Sequence, residues 1–172
     1  MVDIRQRVEE DRGLLKRIQL LIPGFSGYRK REDLRQADSI LRIQVADRLK
    51  LARSRMEEVR QALTDNYQVK ALEPLGRAIF EAQELEGMIR HAEQGYSGFS
   101  PAIRVEESEL NILYNYDLQL LDGIGALGGQ VEQLAGATDQ AMPLARNLST
   151  SLQALRTAFK RRMAYITNTE AP

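Results

Sequence analysis

Residues 34–63 read LRQADSILRIQVADRLKLARSRMEEVRQAL, with no proline or glycine in thirty positions. Leu34, Leu41, Val45, Leu49, Ala52, Met56, Val59 and Leu63 recur in steps of three, four and seven. That is the period of one face of an α-helix. The helix is expected to start near Tyr28 and run to about Thr64. At 1.5 Å per residue it would be roughly 54 Å long. A helix of that length belongs to an elongated bundle and not to a compact globule, so this stretch sets the fold class.

The flanks repeat the pattern. Upstream, Ile4, Val8, Leu15, Ile18 and Ile22 form one stripe, and Pro23-Gly24 stops it. Proline cannot continue the hydrogen-bond ladder, and glycine suits a left-handed cap. Downstream, a break near Asp65-Asn66 leads to a third helix, about 68–94, striped by Leu72, Leu75, Ile79, Ala82 and Ile89. A linker over 95–105 contains Pro101 and a short extended piece, AIRV. Glu106, Glu107 and Glu109 then place negative charge in the first turn of a fourth helix, where the helix dipole favours it. Leu113, Leu120, Ile124, Leu127, Val131 and Leu134 mark that helix. A last helix, about 139–166, carries Leu148, Leu152, Leu155, Phe159, Met163 and Ile166. No useful strand-like alternation occurs. The expectation is one all-α domain over 1–166: an elongated antiparallel bundle of about five helices with coiled-coil-like packing. The tail 167–172 is expected to be disordered.

Bulk composition mostly excludes. The 172 residues hold 24 basic and 24 acidic side chains and no cysteine. Disulfides, thiolate metal sites and a cysteine nucleophile are therefore out. Residues 1–70 carry 16 Lys/Arg against 11 Asp/Glu, residues 71–140 carry 3 against 12, and residues 141–172 carry 5 against 1. Basic flanks and an acidic middle either neutralise one another in the bundle or leave a basic surface for an anionic partner. Charge from Asp3 onward is unlike a signal peptide, and no apolar run is long enough to span a bilayer. The expected location is the cytoplasm.

Two motifs invite chemistry and lose it on context. GIGALG at 123–128 matches the dinucleotide fingerprint G-x-G-x-x-G. The fingerprint needs a preceding strand and a βαβ unit, and neither is present. Each of Gly123, Gly125, Gly128 and Gly129 costs about 1 kcal/mol against alanine inside a helix. Close approach of another helix is the preferred explanation and a kink the alternative. Acidic residues on the stripes are the second lure. Di-metal bundles use Glu-x-x-His on two helices. This chain has one histidine, His91, with Met88 three before it. No metal and no cofactor is expected. One histidine and no nucleophile elbow also give the serines at 149–151 no triad.

The acids read better as a buried ion-pair network. Asp11 lies between Val8 and Leu15, and Asp38 lies between Leu34 and Leu41. Glu86 and Asp117 fall in register with Ile79 and Ile124. Arg35 and Arg42 flank Asp38 at helical spacing. The expectation is that Arg35 or Arg42 reaches Asp117 or Asp11 across the bundle and fixes helix register, since an unpaired buried carboxylate is costly.

A different feature points outward. GFSGY at 24–28 runs straight into RKR, so Phe25, Tyr28, Arg29, Lys30 and Arg31 form a basic-aromatic corner. Free N–H groups at a helix start can hold anions, and Ile22 and Phe25 could enter a membrane interface. A mirrored GYSGF at 95–99 ends the third helix. Both read as glycine corners whose aromatics cap the bundle end. KRR at 160–162 reads as a second basic patch, too small for nucleic acid without a recognisable module.

Gly27, Tyr28, Arg31, Glu32, Arg35, Asp38 and Arg42 follow a spacing that resembles a group of uncharacterised prokaryotic helical proteins. The GYSG loop at 95–98 and the pair Tyr116-Asp117 are similar to it as well. The resemblance brings no activity and no catalytic residue. The expected function is a non-enzymatic interaction or scaffold protein, with a protein partner or self-association. Binding of anionic membrane surfaces through 22–31 is the alternative.

Overall fold

The computed structural model describes residues 4–25, 27, 31–92 and 107–166, with side chains described for 13–25, 27, 36–92, 111–137 and 139–166. Among the described residues there are five α-helices and no strand. They are α1 (Ile4–Leu21), α2 (Arg31–Asp65), α3 (Val69–Arg90), α4 (Glu107–Gly136) and α5 (Ala141–Ile166), with a 3-10 turn at Thr138–Gln140 before α5. The fold is an all-α bundle. The linker expected at 95–105, the GYSGF corner and the tail 167–172 lie outside the described residues.

One rule accounts for most of the core. Alternating steps of four and three run from Asp38 to Leu63 on α2, Ala71 to Ile89 on α3, Leu113 to Leu134 on α4 and Ala141 to Ile166 on α5. Every residue reached by those steps is buried. The residues are aliphatic or aromatic except Asp38, Arg42, Asp117 and Arg162. A step averaging 3.5 residues keeps one edge of a helix facing inward over its length.

Pairs between helices fix their directions. Asp47 meets Arg90 and Arg53 meets Glu86, so α2 and α3 form an antiparallel hairpin. Asp117 meets Arg162 and Gln130 meets Ser151, so α4 and α5 form another. The hairpins lie together with α3 beside α5 and α2 beside α4, each a parallel pair. Glu84 meets Arg156, and Arg55 meets Glu132. The first helix, α1, packs on α4 from outside this foursome, and Arg48 of α2 donates to the Leu21 carbonyl at its end.

Helix ends follow local chemistry. At the end of α2, Tyr67 N–H bonds the Thr64 carbonyl at 3.1 Å and Gln68 N–H bonds the Leu63 carbonyl at 2.9 Å. This is a Schellman pattern. Its left-handed position is held by Tyr67, with φ 57°, where glycine is the usual occupant. At the α1 corner the positive φ values fall on Gly24 and Gly27.

Candidate functional site

At one end of the bundle four buried charges meet. Arg162 Nε donates to Asp117 Oδ1 and Arg162 Nη1 to Asp38 Oδ1, each at 2.6 Å. Arg42 Nε donates to Asp38 Oδ2 at 2.8 Å. Arg42 Nη1 also donates to the carbonyls of Ile89 and Ala92, at 3.4 and 3.2 Å. The exposure of Asp38, Arg42, Asp117 and Arg162 is 2%, 7%, 0% and 0%. Among the described side chains, two guanidinium groups face two carboxylates here. The geometry makes Asp38 a bridge, with one oxygen for Arg162 and the other for Arg42. Through it α2, α4 and α5 are tied together, and Arg42 adds the end of α3, where a cation suits the helix dipole.

The network expected from sequence is thus present in part and wired differently. Asp38, Arg42 and Asp117 come together, but Arg42 pairs within α2 and does not cross to Asp117. Among the described side chains, the one that reaches Asp117 is Arg162, from α5. It belongs to the KRR stretch read as a surface patch; Lys160 and Arg161 are exposed as that reading has it, and Arg162 is buried. Asp11 and Arg35 lie on α1 and α2, outside the described side chains. Glu86 is half-buried and pairs with Arg90 at 3.3 Å. His91 is the exposed C-cap of α3.

The basic-aromatic corner also divides. Phe25 is 3% exposed, Ile22 is fully buried, and the Phe25 ring meets Tyr114 edge-on with centroids 6.5 Å apart. These two apolar residues cap the core in this fold. Tyr28, Arg29 and Lys30 lie outside the described residues, and Arg31 outside the described side chains.

The glycines of GIGALG resolve into two kinds. A Cβ on Gly123 would stand 2.7 Å from Leu155 Cδ2, so α5 does approach closely there. Among the described residues, Gly125, Gly128 and Gly129 have nothing within 4 Å of that position. The helix α4 runs unbroken through all four. Gly125 and Gly128 line an open groove of about 360 Å³ between α2 and α4, together with Leu51, Ala52, Ile124 and Val131. Arg48, Arg55 and Glu132 edge it. Hydrogen bonds to Glu132 first, and then to Glu58, raise the Arg55 pKa above the ordinary guanidinium value. Asp47 does the same for Arg90, against a smaller opposing effect of burial. Both arginines remain charged at any physiological pH.

Among the described residues no three His, Cys, Asp or Glu side chains gather to hold a metal ion, and no helix is long and apolar enough to cross a membrane. Compared with family models, curated proteins and solved structures, the chain matches none.

Proposed function

We infer that this chain is a non-enzymatic helical interaction protein of the cytoplasm that offers its long helices to a protein partner or to a second copy. The observation that supports this reading is the open apolar groove along α2 and α4, beside a Leu51 that is 71% exposed. A groove floored by aliphatic and glycine residues is a usual seat for another polypeptide. The deepest charges support it too, because Asp38, Arg42, Asp117 and Arg162 are engaged with one another. The seams repeat every 3.5 residues on average, the spacing of coiled-coil packing, and long seams of this type commonly serve association.

Two measurements test the reading together. Affinity capture of the full chain from its native cells, read by mass spectrometry, should retain one or a few proteins in near-stoichiometric amount. Alternatively, light scattering of the purified chain should show a concentration-dependent dimer. A strictly monomeric chain that retains nothing above control sinks it. Binding of anionic membranes through 22–31 is the weaker reading, since Ile22 and Phe25 are buried. Salt-sensitive flotation with anionic vesicles would restore it.

A further inference from the structure

Four of the helices close on themselves. α2 packs on α3, α3 on α5, α5 on α4 and α4 on α2, so the ring is complete without α1. The buried charges Asp38, Arg42, Asp117 and Arg162 tie these same four helices to one another. The first helix lies outside the ring, against α4. Its side buries Ile18 and Ile22 and, at the corner beyond it, Phe25. On α4, Tyr114 meets the Phe25 ring, and Asp122 meets Arg17. Leu118 stands midway, four residues from each on one helix face, and is buried. An apolar stripe of α4 is thus covered by a helix that takes no part in closing the ring.

The polar fastenings of α1 gather at its last turn and the corner that follows. Arg48 of α2 donates to the Leu21 carbonyl at 2.5 Å, and Gln19 Nε2 donates to the Phe25 carbonyl at 3.1 Å. Gly24 and Gly27 turn the chain with φ of 86° and 84°, a region that side chains disfavour. Gly27 is also closely fitted. A Cβ there would stand 2.9 Å from Tyr114 Oη and 3.0 Å from Leu15 Cδ1. The ion pair along the helix adds little: Arg17 and Asp122 are 3.6 Å apart with side chains 61% exposed, so water screens them. A helix whose contacts lie outside the cooperative core can open by itself, at less free energy than global unfolding.

We propose that α1 is a strap that opens as a unit at the corner of Gly24 and Gly27 while the four-helix ring stays folded. Opening bares Tyr114 and Leu118 of α4, together with Ile18, Ile22 and Phe25 on the strap side. The closed form covers this apolar surface and the open form offers it, so α1 gates it. The use of such a gate rests on the reading of the chain as an interaction protein; the opening itself does not.

Native-state hydrogen exchange of the full chain, in urea below the unfolding midpoint, tests it. The hydrogen-bonded amides of α1 should exchange about tenfold or more faster than those of α3 and α5, with a urea slope well below the global one. The Ile22 amide, bonded to the Ile18 carbonyl at 2.8 Å, reports the fastened end and should open with the rest of α1. Gly27→Ala strains the corner and crowds Tyr114 and Leu15, so it should speed α1 further and leave α3 and α5 unchanged. The chain has no cysteine, so Leu118→Cys reports the covered stripe. Its thiol should be labelled about tenfold or more faster than that of Leu148→Cys, a fully buried ring position. Exchange of α1 at the rate and slope of α3 and α5 overturns the proposal, because α1 then opens only with the whole chain. So does a gradient that fades before Ile22, which is fraying. Equal labelling of the two thiols, or ring protection lost in step with α1 in Gly27→Ala, overturns it as well. A partner or a dimer captured by a chain whose α1 is protected to the global level would remove the strap and leave the interaction reading standing.

Discussion

Two layers of the bundle share one spacing and hold opposite chemistry. At one end the inward positions hold Asp38, Arg42, Asp117 and Arg162. At the other they hold side chains such as Met56, Leu63, Leu75, Leu134 and Leu148, each fully buried. The aliphatic layer is stabilised by burial, which has no direction, so a helix could slide by a turn at modest cost. The charged layer has direction. A guanidinium satisfies a carboxylate only at one distance and angle, so a slip would leave charges buried and unpaired. The ionic layer therefore sets register, and the aliphatic layer supplies most of the stability. Substitutions in each layer test this division.

Removing Arg162 should have the largest effect. Arg162→Met leaves Asp38 and Asp117 short of their shared partner and should cost about 3–5 kcal/mol in chemical denaturation. Replacing all four charges by Leu or Met should recover most of that stability. It should also broaden the amide NMR spectrum if the layer fixes register. A sharp spectrum and a single monomeric state in the fourfold variant would refute the register role.

In the aliphatic layer, Leu63→Ala should cost about 3 kcal/mol, the usual range for a filled core position. It should leave spectral dispersion unchanged, and dispersion lost here would erase the contrast between the layers. The glycines of α4 should differ in sign. Gly123→Ala should destabilise by about 1 kcal/mol, since overpacking against Leu155 outweighs the helix gain. Gly128→Ala should stabilise by up to about 1 kcal/mol. Thermal melts of the two variants that shift in the same direction would contradict the distinction. The smallest change belongs to the surface: Arg77→Ala breaks an exposed i,i+4 pair with Glu73 and should stay within about 0.5 kcal/mol.

Much of the charged layer was legible. Asp38 and Asp117 stand out in the sequence because carboxylates on an apolar stripe are rare without partners. Arg162 was equally readable, seven after Leu155 and fourteen after Leu148. Three consecutive cations nevertheless look solvated, and the adjacent Met163 offers an apolar alternative on the stripe. Phe25 carries two readings in the sequence, a surface anchor and a cap on the bundle end, and its burial agrees with the second. An aromatic beside basic residues reads as a surface anchor, and only the fold back onto Tyr114 turns it inward. For Gly123 the sequence allows close packing or a kink, and the position of Leu155, 32 residues later on α5, decides for close packing.

The sequence by itself determined where the helices lie and which edge of each is apolar. Both are local properties, set by hydrogen bonds four residues apart and by a period of 3.6. Only the tertiary structure decided that Arg162 serves Asp38, 124 residues away in the chain, and Asp117, 45 away. It also decided that Gly123 is filled while Gly125 and Gly128 stay open. These outcomes depend on which helices become neighbours and at what height. That is fixed by the packing of whole faces, which no short window of sequence contains.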